Sequence, residues 1–151
     1  MYNKILVGID ESIETMDAVK KAIDLGKEYN SKVIVFHSIF HHLTEINTGF
    51  SLTPSSNALI SILTHNDYIY LGNKLLKKVE SIFKENNIKV ETRLISDITP
   101  EDYIKNVISE EHFDLVILGF RGNHSRLRQG LLGTVPDKVI NTATCDVLIV
   151  R

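Results

Sequence analysis

Residues 115–136, LVILGFRGNHSRLRQGLLGTVP, combine a short apolar run with a polar loop and the start of a helix. The run 115–118 has the length and the β-branched content that are typical of a fully buried strand. The loop that follows is rich in glycine and arginine and contains no acidic residue. Its glycines are Gly119, Gly122, Gly130 and Gly133, and its arginines are Arg121, Arg126 and Arg128.

This combination of residues suits the binding of phosphate. Glycine lets the backbone approach a ligand closely, and arginine carries forked donors that match phosphate oxygens. Thr134 then offers a hydroxyl at the start of a helical stretch, where backbone N–H groups favour an anion. The pattern therefore predicts a phosphate-binding loop between a strand and a helix. The alternative is a basic, solvated surface loop without a ligand.

Length and composition indicate an ordinary globular protein. The 151 residues are 43% hydrophobic and 24% charged, and we expect one domain over residues 1–151. A formal net charge of −2 argues against nucleic acid as a partner. No run of residues has the length of a membrane span, and the N-terminus leads straight into a strand rather than a signal peptide. A single cysteine, Cys145, fits a reducing compartment, so we expect a cytoplasmic protein that contacts no membrane.

Apolar patterning predicts strands that alternate with helices. Strands are predicted over residues 4–9, 32–37, 89–95, 115–118 and 146–150. Helices are predicted after Ser12, over residues 68–83, after Thr99 and after the glycine-rich loop. Strands and helices in alternation predict an α/β domain with a parallel sheet.

The helical patterns also predict which side chains face the core. One face of the second helix carries Leu71, Leu75, Leu76, Val79, Ile82 and Phe83, and the buried face of the third carries Ile104, Val107 and Ile108. The apolar residues whose spacing fits a fourth helix are Val135, Val139, Ile140 and Ala143.

The motif Gly119-x-x-Gly122, a spacer, and Gly133-Thr134-Val135 resembles the nucleotide-binding motif of the universal stress protein family. That motif has a nine-residue spacer, whereas residues 123–132 make a spacer of ten. The resemblance implies an open, twisted sheet of five parallel strands in the order 3-2-1-4-5, with helices on both faces, as in Rossmann-like folds.

The resemblance also implies where a nucleotide would bind. Ligands of open α/β sheets bind beyond the carboxyl ends of the strands, where the strand order reverses, and here this point lies between the first and fourth strands. Gly8 and Asp10, with Ile9 between them, match family positions near adenine and ribose, and Ser38 matches a position that contacts the base. Asp10 has a second interpretation, as a cap at the start of the first helix. The positions that match the phosphate-binding wall are Leu118, Gly119, Gly122, Gly133, Thr134 and Val135, and we add Arg121 to this set for its charge.

The predicted function is the binding of ATP or another adenine nucleotide, with Mg²⁺ as a candidate counter-ion. The patterns G-x4-G-K-[ST] and G-x-G-x-x-G are absent, and no serine–histidine–acid set can be assigned by spacing. We therefore predict a regulatory stress-response module with at most slow hydrolysis and no assigned catalytic residue. Two alternatives stay open. The longer spacer favours a dimeric interaction module that binds no nucleotide, and a carboxylate cluster in the pocket would favour a hydrolase or transferase of a related α/β family.

Residues 40–66 form a long connection that is either functional or mobile, with a candidate helical turn at 58–63. His37, His41, His42 and His65 lie in or beside it. They have no carboxylate or cysteine partner at a zinc-like spacing, so we predict no metal site.

The C-terminal strand 146–150, DVLIV, is predicted to form a homodimer. It is nearly continuous in apolar residues, contains neither proline nor lysine, and is expected at an edge of the sheet. Pairing with the same strand of a second copy would satisfy both edges, and members of the resembled family often dimerise in this way. The alternative is a monomer whose edge is shielded by Arg151 and the chain end.

Overall fold

The computed structural model describes residues 1–40, 64–120 and 134–151. These residues form five strands and four helices that alternate for most of the chain. The strands are β1 (Lys4–Ile9), β2 (Lys32–Ser38), β3 (Val90–Ile95), β4 (Leu115–Gly119) and β5 (Asp146–Val150). The helices are α1 (Ile13–Tyr29), α2 (His65–Glu85), α3 (Pro100–Glu110) and α4 (Thr134–Thr142).

The five strands form one parallel sheet in the order β3-β2-β1-β4-β5. Ile5 of β1 lies level with Val33 of β2 on one side and with Leu115 of β4 on the other. The predicted α/β class, the parallel pairing and the order 3-2-1-4-5 are confirmed.

Each face of the sheet carries its own apolar cluster, because successive side chains of a strand point to opposite faces. Alternate residues of β1, such as Ile5 and Val7, pack against α1 and α2, whereas Leu6 packs on the side of α3 and α4. The first cluster also contains Val19, Ala22, Val79 and Phe83, and the second contains Phe36, Ile104, Ile108, Val116 and Val139. Helices therefore cover both faces, as predicted.

Two apolar side chains of these helical patterns are exposed rather than buried. Leu71 in α2 is 38% exposed and Ile140 in α4 is 49% exposed. Each lies next to a residue that does face the sheet, Gly72 and Val139 respectively. Neighbouring residues of a helix point about 100° apart, so the neighbour of a core-facing residue can lie outside the buried face.

Gly72 is a position where α2 packs tightly against side chains of the sheet. A Cβ atom at this position would lie 2.6 Å from Cδ1 of Leu94 and 3.1 Å from Cδ2 of His37. Because glycine has no side chain, α2 can pack against the carboxyl ends of β2 and β3.

Polar side chains define where the helices begin. The Thr99 hydroxyl accepts a hydrogen bond from the Asp102 N–H at 3.2 Å, so the predicted start of α3 is confirmed. Helix α2 begins at His65, three residues before the predicted start, because Thr64 and Asp67 form a reciprocal capping box there. Ser12 occupies the N-cap position of α1, but its side chain makes no capping bond to the helix among the described residues.

Candidate functional site

The strand order reverses between β1 and β4, and this reversal creates a crevice at the carboxyl edge of the sheet. The chain leaves β1 into α1, which packs on one face, whereas α4 packs on the other face after β4. The two connections diverge from neighbouring strands, and ligands of open α/β sheets bind at such a point.

Gly8 is the last residue but one of β1, next to the point of reversal. A Cβ atom added to it would lie 2.6 Å from Cδ2 of Leu118 and 3.1 Å from Cζ of Phe36. The missing side chain therefore lets the Leu118 and Phe36 side chains close over β1 from both sides. Gly8 is needed first for packing, and the same close packing shapes the wall of the crevice.

Asp10 follows β1 and is held in a hydrogen-bonded turn. Its Oδ1 accepts a bond from the Ser12 N–H and another from the Thr15 hydroxyl, each at 2.9 Å. Its own N–H donates to Oγ1 of Thr15 at 2.9 Å. Asp10 is thus hydrogen-bonded to the start of α1, although Ser12 and not Asp10 occupies the N-cap position of that helix.

The end of β2 forms the adjoining part of the carboxyl edge. The His37 ring is buried, with its Nδ1 2.9 Å from the carbonyl oxygen of Ile9. A carbonyl oxygen only accepts, so this ring nitrogen carries the proton and donates it. Ser38 comes next, and its Oγ accepts a bond from the Phe40 N–H at 3.3 Å. His37 thereby joins the ends of β1 and β2, and Ser38 lies beside that junction.

The other wall of the crevice begins with β4. Gly119 lies level with Val150 of β5, and the Phe120 N–H donates to the Val150 carbonyl at 2.7 Å. On α4, Thr134 is exposed at the first position, whereas Val135 is partly buried against the cluster that contains Leu118.

An ion pair ties α4 to α3. The Lys138 ammonium donates to Oε1 of Glu101 at 2.5 Å. Glu101 is buried, and its Oε2 has no hydrogen-bond partner among the described residues. This pair fixes α4 relative to α3 near the end of the sheet where both helices begin.

The structure brings most of the predicted site residues to one edge of the sheet. Gly8, Ile9 and Asp10 lie at the end of β1, Ser38 at the end of β2, Leu118 and Gly119 at the end of β4, and Thr134 and Val135 at the start of α4. Arg121, Gly122 and Gly133 lie outside the described residues, as do His41, His42 and residues 58–63.

The residues at this edge suit a nucleotide chemically. A carboxylate and hydroxyls are partners for sugar hydroxyls and a base, and glycine positions leave room for a close approach to the backbone. Within residues 1–40, 64–120 and 134–151, no group of three or more His, Cys, Asp or Glu side chains could hold a metal ion. His37 and His65 therefore share no such group there.

Sequence reasoning missed Thr15 as a residue of this site. Thr15 is only 3% exposed, yet it stands among the apolar residues on the buried face of α1. A buried hydroxyl needs hydrogen-bond partners, and this requirement was the available signal.

Among the helices that the structure describes, none combines the length and the apolar character needed to cross a lipid bilayer.

Comparison with known proteins agrees with this fold. The model of the universal stress protein family matches residues 1–151. Universal stress protein YxiE of Bacillus subtilis is 30% identical over 158 residues, covering 100% of each chain. A universal stress protein solved in complex with cAMP superimposes with a TM-score of 0.67 at 24% identity, covering 99% of this chain and 97% of that one.

A second solved structure, the universal stress protein of Archaeoglobus fulgidus in complex with dAMP, has a TM-score of 0.67 at 20% identity and covers 99% of this chain and 98% of that one. At these identities, the two structures support the fold. The family model spans the whole chain, and on this basis the chain belongs to the universal stress protein family.

Proposed function

We propose that this protein binds an adenine nucleotide in the crevice between the carboxyl ends of β1 and β4, with ATP as the first candidate. The observation that carries the proposal is the reversal of strand order at β1 and β4, from which the glycine- and arginine-rich loop departs directly. In the cell it would act as a cytoplasmic regulatory module in the stress response, with at most slow hydrolysis. Mg²⁺ would accompany the triphosphate.

Two solved relatives support an adenine nucleotide as the ligand. One was solved with cAMP and the other with dAMP, and both ligands combine adenine with a single phosphate. On this proposal, Gly8, Ile9, Asp10 and Ser38 form the adenine and ribose side. The phosphate side consists of Leu118, Gly119, Arg121, Gly122, Gly133, Thr134 and Val135.

Titration calorimetry with ATP tests the phosphate side through the motif glycines. Gly133→Val places a branched side chain where the backbone would meet phosphate, so ATP affinity should fall by at least about tenfold. Gly130→Val is the matched control, because it makes the same change in the same loop outside the motif. If Gly133→Val binds ATP as tightly as the parent chain, the phosphate-binding role of the loop is wrong. A parent chain that binds no nucleotide would favour the dimeric interaction module.

The loop arginines provide a second test. A charge-assisted contact with phosphate contributes about 1.5–3 kcal/mol. For at least one of Arg121, Arg126 and Arg128, replacement by alanine should therefore lower the affinity for ATP roughly tenfold or more. Adenosine lacks the phosphates and should bind each variant almost as well as the parent. Equal losses for ATP and adenosine would indicate a folding defect instead.

We further propose a homodimer that pairs the β5 strands of two copies. β5 lies at the edge of the sheet, and its residues Val147 to Val150 are only partly buried in the isolated chain. A two-fold axis would let one self-complementary surface satisfy both edges.

Analytical ultracentrifugation at micromolar concentration tests the dimer. We expect a dimer for the parent chain and a monomer for Leu148→Lys in β5. Thr92→Lys adds the same charge to the opposite edge strand, β3, and should stay dimeric. A parent chain that sediments as a monomer refutes the dimer, and a dimeric Leu148→Lys places the interface elsewhere.

A further inference from the structure

We propose that Arg151 is a further phosphate-binding residue, which contacts the terminal phosphate of a nucleoside triphosphate and so distinguishes ATP from AMP. This inference rests on the proposed function, because it adds a specificity-determining residue to the phosphate side of the same crevice.

Arg151 follows β5 directly and lies at the carboxyl edge of the sheet, beside the residues at which β4 ends. Val150 of β5 is level with Gly119 of β4, and the Phe120 N–H donates to the Val150 carbonyl at 2.7 Å. This pairing brings Arg151 next to the start of a loop from which it is far removed in the sequence.

The guanidinium of Arg151 is restrained by an aromatic ring. Its Cζ lies 4.6 Å from the centre of the Phe120 ring, and a cation over a ring face is attracted by the ring. No acidic side chain pairs with Arg151 in the part of the chain that the structure describes. The other described arginine, Arg93, pairs with Glu91 and Glu111. Arg151 thus presents a restrained positive charge that no neighbouring carboxylate side chain neutralises.

Arg151 also lies on the face of the sheet that α4 covers. Leu118 of β4 and Ile149 of β5 both pack in the apolar cluster on the side of α3 and α4. Alternate residues of a strand share a face, so Phe120 and Arg151, each two positions further on, lie on this same side. Helix α4 begins there with Thr134, which the proposed function assigns to the phosphate side. The guanidinium and the start of α4 therefore border one region of the carboxyl edge.

The strand order indicates which phosphate Arg151 would meet. On the proposed function, base and ribose lie at the ends of β1 and β2, and β4 and then β5 lie successively farther from them. Neighbouring strands are about 4.8 Å apart, so β5 lies roughly 10 Å from β1. The phosphates of ATP extend from the ribose in a chain, so a residue at the end of β5 would contact the last of them. The single phosphate of AMP stays nearer to the ribose.

Titration calorimetry on the full chain, with ATP and with AMP at one ionic strength, tests this assignment. The parent should bind ATP more tightly than AMP. Arg151→Gln removes the charge, so its affinity for ATP should fall roughly tenfold or more, whereas its affinity for AMP should equal that of the parent. Arg151→Lys keeps the charge without the forked donors, so its affinity for ATP should lie between those of the parent and Arg151→Gln.

A matched control removes a positive charge at the opposite edge of the sheet. Lys84 is exposed in the last turn of α2, shortly before β3 begins. Lys84→Gln should leave the affinities for ATP and AMP unchanged.

Phe120→Leu tests whether the ring positions the guanidinium. Leucine is apolar and keeps the backbone N–H that donates to Val150, but it removes the ring. The affinity for ATP should fall by less than in Arg151→Gln, with no change for AMP. Added to Arg151→Gln, the same substitution should change the affinity for ATP no further. A further loss in that background would refute the positioning role of Phe120.

The outcomes separate the inference from the proposed function. If the parent binds neither nucleotide, the proposed function fails, and the inference fails with it. If the parent binds ATP and Arg151→Gln binds ATP equally tightly, the inference is overturned and the proposed function stands. Equal losses for ATP and AMP would show that Arg151 serves the fold, which also overturns the inference. Sedimentation of Arg151→Gln should match that of the parent, and a changed oligomeric state alongside the loss of ATP would assign Arg151 to subunit contact instead.

Discussion

Glu111, directly after α3, accepts three charge-assisted hydrogen bonds from two basic side chains. Nη1 and Nη2 of Arg93 donate to its two oxygens at 2.6 and 3.1 Å, and Nζ of Lys4 donates to it at 2.9 Å. These bonds lower the pKa of the Glu111 carboxyl from its usual 4.5 to about 2. The bonds from Arg93 have the largest effect on this pKa, and the bond from Lys4 has the next largest. The cluster ties α3 to β3 and β1, so we expect it to stabilise the fold.

The size of this contribution follows from the pKa. A carboxyl pKa of about 2 in the folded chain against 4.5 in the unfolded chain corresponds to roughly 3 kcal/mol at neutral pH. The Glu111 side chain is 31% exposed, so water screens part of the interaction, and we expect about 1–2 kcal/mol. Between about pH 4.5 and 2 the unfolded chain binds the proton and the folded chain does not. The contribution is therefore complete above this window and is lost as the pH falls through it.

Urea denaturation of Glu111→Gln, followed by circular dichroism at several pH values between about 7 and 3, tests this reasoning. Glu110→Gln is the matched control, because it makes the same change at an exposed neighbour in the same helix. At pH 7 the free energy of unfolding of Glu111→Gln should lie about 1–2 kcal/mol below that of the control. The gap should narrow as the pH falls below about 4.5. A gap that stays constant from pH 7 to 3 would show that the loss does not depend on the Glu111 charge.

Three further predictions concern other parts of the fold. Thr99→Ala removes the cap that accepts the Asp102 N–H, and it should lower the free energy of unfolding by about 1 kcal/mol in urea titrations. Gly72→Val forces a side chain against Leu94 and should cost about 1–3 kcal/mol in the same assay, and a variant as stable as the parent would contradict the close packing of α2. Burial raises the pKa of the Cys145 thiol, and nearby carboxylates raise it further by a smaller amount. Fewer thiolates are then present at a given pH, so at pH 8 a disulfide reagent should modify the folded protein more slowly than the urea-unfolded chain, and equal rates would refute this.

Local pattern alone determined most of the architecture of this protein. The strands at residues 4–9 and 146–150 were predicted with the bounds that the structure has, because short apolar runs between turn residues leave few other choices. The start of α3 followed from Thr99 and Pro100, whose capping chemistry is local. The strand order came from the family resemblance of the loop motif, since order depends on contacts between distant segments that periodicity does not encode.

Tertiary structure decided which of these side chains matter to the crevice. Periodicity placed Leu71 on the apolar face of α2, but its neighbour Gly72 is the residue that packs against Leu94 and His37, and this contact depends on how the helix docks on β2 and β3. Gly8 matched a ligand-binding position, yet only the packing of Leu118 and Phe36 shows why a side chain there has no room. The sequence pattern did not predict the hydrogen bonds between Thr15 and Asp10, for a similar reason. A helical pattern tells which face is buried, whereas the partner of a buried hydroxyl is set by how the chain turns between β1 and α1.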